Sequence, residues 1–281
     1  MFADNSIKGV RTYLQDKLKG QYSEREISIF AEMILDKLFG LSKTDMILNE
    51  QRFSESELLR IRDVYKRLQL NEPIQHILGT AHFYGYDFEV NTEVLIPRPE
   101  TEELVDLILK NHEGEISLLD IGTGSGCIPI CLKLRNPSYE ISAIDISSEA
   151  LVTAKRNAEN LEADVNFIES NVLEDSIVGQ FDVIVSNPPY VLESDKTEMQ
   201  ESVLSFEPGL ALFVPDNDPL KFYKRIAELS RDALAENGRL YFEIHEDFGN
   251  KVKEMLEVQA YQDVNILKDL QGKDRIVSAI K

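Results

Sequence analysis

Residues 117–126 read Ser-Leu-Leu-Asp-Ile-Gly-Thr-Gly-Ser-Gly, a short apolar run followed at once by three alternating glycines. The run has the length and composition of a buried strand, and the chain beyond it opens a helix. Glycines at such a turn permit a tight bend and let the backbone approach a ligand closely. The segment therefore predicts ligand binding at the carboxyl end of a strand in an α/β sheet.

The spacing of these glycines distinguishes two kinds of nucleotide ligand. Dinucleotide binding requires G-x-G-x-x-G, but the third position is Cys127 when counted from Gly122 and Pro129 when counted from Gly124. The NAD pattern therefore fails in both frames. An acidic residue followed by G-x-G-x-G instead resembles the first motif of S-adenosylmethionine-dependent enzymes. The methionine moiety of that ligand is cationic, and a nearby carboxylate suits it.

From residue 117 onward, apolar runs alternate with helical stretches, which indicates βαβ units and a mainly parallel sheet. The runs lie at residues 118–121, 141–144, 165–168, 183–185 and 240–244. Two further runs, at 264–267 and 276–280, are joined by so short a link that only antiparallel pairing suits them. This layout resembles the Rossmann-like α/β fold of class I methyltransferases, with an antiparallel strand near the carboxyl terminus.

Asp145 ends the second predicted strand, where a carboxylate can accept both hydroxyls of an adenosine ribose. It would do so for NAD as well, so it does not choose between the two ligands. Alternatively, Asp145 is the N-cap of the helix that contains residues 150–158. Asn171 and Val172 follow the third predicted strand and are expected beside the adenine.

Residues 187–190 read Asn-Pro-Pro-Tyr and carry more functional information than the rest of the chain. They follow the apolar run at 181–186 as a loop follows a buried strand, at the edge where open α/β sheets bind ligands. The Asn187 oxygen and the Pro188 carbonyl can each accept one N–H of a planar NH2 group, while the Tyr190 ring lies against its flat face. The plainer alternative is a rigid turn, since Asn and Pro are common turn residues.

The chain divides into three predicted parts. The first seventy or so residues read as helices, two of them opened by the capping-box patterns Ser23 with Glu26 and Ser54 with Glu57. Between about residues 80 and 96 the apolar period falls to two, which predicts a β-hairpin. We therefore assign a helical domain to residues 1–78, a hairpin linker to 79–96 and a catalytic domain to 97–281.

The bulk composition narrows the functional classes. Thirty basic and fifty acidic residues give a net charge of −20, which repels polyanions and disfavours general binding to DNA or RNA. The basic residues between 17 and 67 form either a local patch or, as we favour, a solvated helix face. Cys127 and Cys131 stand four apart on one predicted helix, so buried thiols are expected rather than a disulfide.

Other features are expected to be absent. No apolar run approaches the roughly 18 residues of a membrane span, and residues 1–6 lack the features of an export signal. The four histidines show no zinc spacing. We expect a cytoplasmic monomer without a metal, a membrane contact or direct nucleic-acid binding.

Together these features resemble the bacterial and organellar peptide chain release factor glutamine methyltransferases, which methylate the side-chain nitrogen of the glutamine in the release factors' Gly-Gly-Gln motif. The resemblance extends over nearly the whole chain. Its most specific parts are Leu-Ile-Pro-Arg-Pro-Glu-Thr-Glu at 95–102, the glycine loop and residues 187–190. Supporting segments lie at residues 73–79, 206–212 and 269–275.

The resemblance implies S-adenosyl-L-methionine as donor, S-adenosyl-L-homocysteine as product, and release factors as a protein substrate held partly by the helical domain. The implied donor-binding residues are Gly122, Thr123, Gly124, Ser125, Gly126, Asp145, Asn171, Val172 and Asn187. The implied substrate residues are Asn187, Pro188, Pro189, Tyr190, Ile96 and Arg98, with Asn187, Pro188 and Tyr190 serving catalysis. Relatives often carry an aromatic residue at the position of Val172, so weaker adenine stacking is expected here.

Two other functions stay open at this point. The motif at 187–190 also occurs in enzymes that methylate the exocyclic amine of adenine in DNA, where a flipped base offers the same NH2 group. The net charge and the segment at 96–102 argue against that substrate. A non-catalytic donor-binding module that docks on a translation factor is the third possibility, but it would have no need of the acceptors at Asn187 and Pro188.

Overall fold

The computed structural model describes residue 2 and residues 4–281, so two residues of the predicted helical domain, Met1 and Ala3, lie outside the described residues. The helices are α1 (Ile7–Leu18), α2 (Glu24–Phe39), α3 (Lys43–Leu48), α4 (Glu55–Leu68), α5 (Ile74–Leu78), α6 (Pro99–Asn111), α7 (Cys127–Arg135), α8 (Ser148–Asn160), α9 (Glu201–Phe206), α10 (Lys221–Ala233) and α11 (Gly249–Val258). The strands are β1 (Thr80–Phe83), β2 (Tyr86–Glu89), β3 (Ser117–Ile121), β4 (Glu140–Asp145), β5 (Asn166–Glu169), β6 (Phe181–Ser186), β7 (Val191–Leu192), β8 (Phe213–Val214), β9 (Leu234–Glu243), β10 (Gln262–Lys268) and β11 (Asp274–Ile280).

The backbone forms two compact units. One consists of the residues up to Gly79 together with Gln200–Phe206, and the other of Thr80–Met199 with Glu207–Lys281. Within the first unit, the Asn71 side-chain amide donates a hydrogen bond of 2.8 Å to Glu201. The short helix α9 therefore belongs to the helical unit although it lies far along the chain.

Two helices of the first unit, α2 and α4, begin where the sequence predicts. The capping boxes at Ser23 and Ser54 are confirmed, because each serine accepts a hydrogen bond from the backbone of the glutamate three positions later, and that glutamate accepts from the serine N–H. A third box, Ser42 with Asp45, opens α3, whose six residues are too few for an apolar period to reveal. On α4, Lys66 pairs with Asp63 and Arg67 with Glu72, as on a solvated face.

The predicted hairpin is confirmed but is shorter than its apolar pattern suggests. Strands β1 and β2 pair antiparallel across Tyr84 and Gly85, both of which have positive φ. Beyond Glu89 the chain leaves the sheet, so the extension of the strand pattern to Val90 and Val94 is wrong. The apolar pattern continues through Val90 and Val94 because both side chains are buried in a small apolar cluster, although their backbone is not paired in a sheet.

The second unit is built on the predicted mainly parallel sheet. Among residues 4–281 this sheet has seven strands in the order β10-β11-β9-β6-β3-β4-β5. Strand β11 pairs antiparallel with both β9 and β10, as the short link before it predicts. Apolar residues of α6, α7 and α8 pack on one face of the sheet, and those of α10 and α11 on the other.

The register between β3 and β6 positions the candidate site. Ile121 lies opposite Ser186, so the glycine loop and the loop at Asn187 leave neighbouring strands at the same level. The Ser186 hydroxyl donates a hydrogen bond of 2.7 Å to the Ile121 carbonyl and reinforces this register. Parallel strands share a carboxyl edge, so the two loops that the sequence singles out become neighbours.

Two further predictions have structural outcomes. Cys127 and Cys131 lie on α7 as buried free thiols, as predicted. In the described part of the chain, no helix is long and apolar enough to cross a membrane.

Candidate active site

A cavity of about 360 Å³ opens at the carboxyl ends of β3, β4 and β6. It is lined by residues from the glycine loop, the end of β4, the loop after β5 and the loop after β6. The predicted site residues on its wall are Arg98, Gly122, Thr123, Gly124, Ser125, Asp145, Asn171, Val172, Asn187, Pro188 and Pro189. The fold therefore gathers into one cavity the predicted contacts of both the donor and the substrate.

Three predicted site residues do not line this cavity: Gly126, Ile96 and Tyr190. A Cβ at Gly126 would lie 2.9 Å from the Ile130 side chain and 3.2 Å from Ala154, so this glycine permits α7 and α8 to pack closely. Ile96 is 4% exposed and belongs to the apolar cluster beside the cavity. Gly126 and Ile96 therefore contribute to the packing that surrounds the cavity and do not line it.

The glycine loop and Asp145 hold each other in place. Gly122 and Gly124 have φ values of 75° and 54°, and a Cβ at either would meet nothing within 4 Å, so their backbone faces open space. The Gly124 N–H donates to one Asp145 oxygen at 2.8 Å, and the Ser147 N–H donates to the other at 3.0 Å. Ser147, not Asp145, is the N-cap of α8, so the alternative interpretation of Asp145 as that cap is wrong.

A second carboxylate is buried behind the same loop. Asp120 is fully buried. Among residues 4–281, neither of its carboxylate oxygens has a hydrogen-bond partner, and the Thr123 hydroxyl has none either. Thr123 is nevertheless close enough to lower the pKa of Asp120. Burial dominates and raises this pKa to about 7. Burial likewise raises the pKa of Asp145. Two acidic side chains thus flank the glycine loop, Asp145 on the cavity wall and the buried Asp120 behind it.

The other end of the cavity carries a hydrogen-bond network around Asn187. The Asn187 Nδ2 lies 3.5 Å from the Thr101 Oγ1, and the Thr101 hydroxyl donates to Glu243 at 2.6 Å. The Tyr190 hydroxyl lies 3.4 Å from the other oxygen of Glu243. Tyr190 therefore faces the interior, where burial raises the pKa of its hydroxyl. Burial also raises the pKa of Glu243, to about 7.

Arg98 reaches the cavity wall but its guanidinium has an internal partner. It donates to both oxygens of Glu207, at 2.7 and 2.8 Å, and the Ile96 N–H donates to the same carboxylate at 3.2 Å. Because residues 208–211 line the cavity, this ion pair, in which the Arg98 Nη2 donates to both carboxylate oxygens, fastens one wall to the segment before α6. The geometry gives Arg98 a structural contact in addition to the substrate contact that the resemblance implies.

The sequence interpretation missed three residues of this site: Thr101, Glu207 and Glu243. A signal existed for Glu243, because it is the only acidic residue in the apolar run at residues 240–244, where a buried charge requires a polar partner. Thr101 stands in a motif whose helix-starting pattern accounts for it without any functional role. The partner of Arg98 lies 109 residues away in the chain, beyond the reach of local patterns.

The chain is similar to known proteins over most of its length. Family models match residues 10–79, as the PrmC N-terminal domain, and residues 99–205, as the Methyltransferase small domain. The chain is 46% identical over 273 residues to a release factor glutamine methyltransferase of Bacteroides thetaiotaomicron, covering 96% of this chain and 98% of that protein. It is 43% identical to the protein of the same name from Flavobacterium psychrophilum, with 96% and 98% covered. The solved structure of a methyltransferase from Pyrococcus furiosus shares the fold, with a TM-score of 0.52, 20% identity and coverage of 81% of this chain and 99% of that one.

Alanine at Gly126 should mainly lower stability, whereas alanine at Gly122 should mainly weaken ligand binding. Both glycines have positive φ, but only at Gly126 would the new methyl group collide with packed side chains. Gly126→Ala should lower the free energy of unfolding by roughly 2–4 kcal/mol. Gly122→Ala should cost about 1–2 kcal/mol but weaken binding of S-adenosylhomocysteine by about 10-fold or more, because its methyl group enters the cavity.

Urea denaturation and calorimetric titration with S-adenosylhomocysteine measure the two effects. Equal stability losses in the two variants, or weaker ligand binding by Gly126→Ala than by Gly122→Ala, would contradict this account.

Asp120→Asn should change how stability depends on pH. The pKa of Asp120 is about 7 in the folded chain against an ordinary value of 3.8, so between these values the folded state binds more protons than the unfolded state. The wild type therefore loses stability as pH rises through this window. The free energy of unfolding of the variant minus that of the wild type should therefore rise between pH 4 and pH 8, by an amount on the order of 3 kcal/mol.

Chemical denaturation at several pH values tests this expectation, with the exposed Asp164→Asn as the matched control. A difference between Asp120→Asn and wild type that does not vary with pH would mean that Asp120 is not the buried acid described here.

Proposed function

The chain belongs to the release factor glutamine methyltransferase family, and from that premise we propose that it transfers a methyl group from S-adenosyl-L-methionine to the side-chain nitrogen of the glutamine in the Gly-Gly-Gln motif of peptide chain release factors. The products are the N5-methylated glutamine and S-adenosyl-L-homocysteine. The observation that carries the proposal is that Asn187, Pro188 and the glycine loop line the same cavity.

The chemistry of the cavity fits this donor. Asp145 has both oxygens fixed by backbone N–H groups and retains lone pairs for ribose hydroxyls. The buried Asp120 and the open backbone of the glycine loop suit a cationic amino-acid moiety. Val172 and Phe222 supply an apolar wall for the adenine. When bound, the donor supplies an electrophilic methyl group on a sulfonium sulfur.

The part of the cavity formed by Asn187 and Pro188 suits a carboxamide. An amide nitrogen is a poor nucleophile because its lone pair is delocalised into its carbonyl. The Asn187 oxygen and the Pro188 carbonyl can accept both N–H groups, which raises electron density on the nitrogen and aims its lone pair at the methyl group. These two acceptors continue to stabilise the nitrogen as positive charge develops on it.

Positioning provides most of the rate enhancement in this proposal. Fixing two reactants in line can supply roughly 7–11 kcal/mol of the barrier. No strong base needs to act before attack, since the nitrogen loses its proton only after it has become cationic. That proton is then hydrogen-bonded to the Asn187 oxygen or the Pro188 carbonyl, from which it can pass to water.

We assign the remaining parts of the chain in the same terms. The helical domain at residues 1–78 helps to hold the release factor, the hairpin at 79–96 links it to the catalytic domain at 97–281, and the enzyme acts in the cytoplasm as a monomer. The net charge of −20 supports a protein substrate over a polyanionic one.

Asn187→Ala tests the assigned role of this side chain. The variant should bind S-adenosylhomocysteine with nearly wild-type affinity, because Asp145 and the glycine loop are intact. It should lose most methyl transfer, by about 100-fold or more, as expected for removal of a group that stabilises developing charge. Turnover at the wild-type rate would refute the role.

A two-substrate assay separates this function from its rival. With labelled donor, mass should appear on one glutamine of a release factor, and a release factor with that Gln replaced by Glu serves as the control. Labelling of adenine-containing DNA instead would select the adenine methyltransferase.

A further inference from the structure

Asn187 can accept a hydrogen bond from a substrate amide only if its own amide presents oxygen, and not nitrogen, to the cavity. We propose that Thr101 and Glu243 are positioning residues that impose this orientation on Asn187. The inference rests on the proposed function and deepens it, because it explains what fixes the Asn187 oxygen, and not the nitrogen, toward the cavity.

Glu243 is the origin of the hydrogen-bond chain. It is 1% exposed at the end of β9, next to the end of β6, and its carboxylate accepts the Thr101 hydroxyl at 2.6 Å. Thr101 stands in the first turn of α6, and its oxygen lies 3.5 Å from the Asn187 Nδ2. The other oxygen of Glu243 lies 3.4 Å from the Tyr190 hydroxyl. One buried carboxylate is thus linked to both polar side chains of the loop at 187–190.

The direction of these bonds follows from the number of protons available. An ionised carboxylate can only accept, so the Thr101 hydroxyl must donate its single proton to Glu243. The Thr101 oxygen then offers only lone pairs to Asn187, and only the NH2 group of Asn187 can occupy that contact. Its oxygen is consequently turned to the cavity, where the substrate amide requires an acceptor.

A neutral group at position 243 would remove this constraint. A protonated Glu243, or a Gln in its place, can donate to the Thr101 oxygen. The Thr101 proton is then free to point at Asn187, and the flipped amide, with its NH2 group toward the cavity, becomes possible. Two donors would then face each other, and the substrate amide would lose an acceptor.

The surroundings of Glu243 determine the pH at which this happens. Charged and titratable groups face it from each packed element: Glu100 on α6, Cys127 on α7, Tyr190 in the loop after β6, Tyr223 on α10, and Arg275 on β11 with its partner Asp269. The pKa values of the thiol and of both tyrosines are raised by burial, so none of these three groups ionises near neutral pH. Because the pKa of Glu243 is about 7, acidification below that value should protonate it and lower kcat.

Variants at Thr101 give the first arm of the test, measured with release factor and labelled S-adenosylmethionine. Thr101→Val removes the hydroxyl at similar volume and should lower kcat by about 10-fold or more, the kinetic equivalent of one hydrogen bond to a charged group. Its affinity for S-adenosylhomocysteine should stay within about two-fold of wild type, well under the 1.4 kcal/mol of a ten-fold change. Thr101→Ser restores the hydroxyl and most of kcat, and the exposed Thr197→Val is the control.

Glu243→Gln gives the second arm. It should lower kcat and remove the part of the fall of kcat below about pH 7 that comes from protonation of Glu243. Asp120 has a similar pKa, but it lies at the donor end of the cavity and is unchanged in this variant. Any pH dependence that comes from Asp120 therefore persists in Glu243→Gln and is separated from that of Glu243.

The outcomes distinguish this inference from the proposed function. Wild-type kcat in Thr101→Val, or an equal loss in Thr101→Ser, would overturn the positioning role, as would an unchanged pH profile in Glu243→Gln. If Glu243→Gln does not fold, the Thr101 pair decides alone. A wild-type enzyme that fails to methylate any release factor would instead refute the proposed function itself.

Discussion

The site depends on the parallel pairing of β3 with β6. Adjacent strands lie about 4.8 Å apart, and with Ile121 opposite Ser186 the loops that follow them emerge side by side. A slip of one residue would turn every side chain of β6 to the opposite face of the sheet, which both apolar layers resist. The hydrogen bond from the Ser186 hydroxyl to the Ile121 carbonyl further stabilises this register. The geometry of the sheet therefore places the glycine loop beside Asn187.

Buried acidic groups give the site its chemical character and cost the fold stability. Asp120, Asp145 and Glu243 stand at or near the carboxyl ends of three strands, and burial raises the pKa of each. An ionised carboxylate in such surroundings destabilises the folded state unless its lone pairs are used. Asp145 and Glu243 have partners within the chain, whereas Asp120 has none among the described residues. Buried acidic groups that lower the stability of the folded state are expected where a protein binds a charged ligand.

Sequence patterns predict what is local or periodic in this chain. The glycine spacing, the capping boxes at Ser23 and Ser54, and the antiparallel end of the sheet depend on neighbouring residues, and each has its predicted structure. The deeper network could not be predicted in this way, because Thr101 and Glu243 are 142 residues apart and meet only in the folded sheet. The same reason explains Gly126 and Ile96, whose motifs suggest ligand contacts but whose side-chain positions are occupied by packing. Tyr190 follows the motif in sequence, yet its hydroxyl faces the carboxylate of Glu243, and this pairing over 53 residues of chain has no local pattern.

We claim above all that a neutral carboxamide becomes reactive because paired oxygens hold it beside the glycine loop. A crystal structure of the chain with S-adenosylhomocysteine and a peptide containing Gly-Gly-Gln tests it most directly. The claim predicts the glutamine nitrogen within about 3 Å of both the Asn187 oxygen and the Pro188 carbonyl, on the side that faces the sulfur. A glutamine bound elsewhere, or an Asn187 oxygen turned toward Thr101 and away from the cavity, would contradict it.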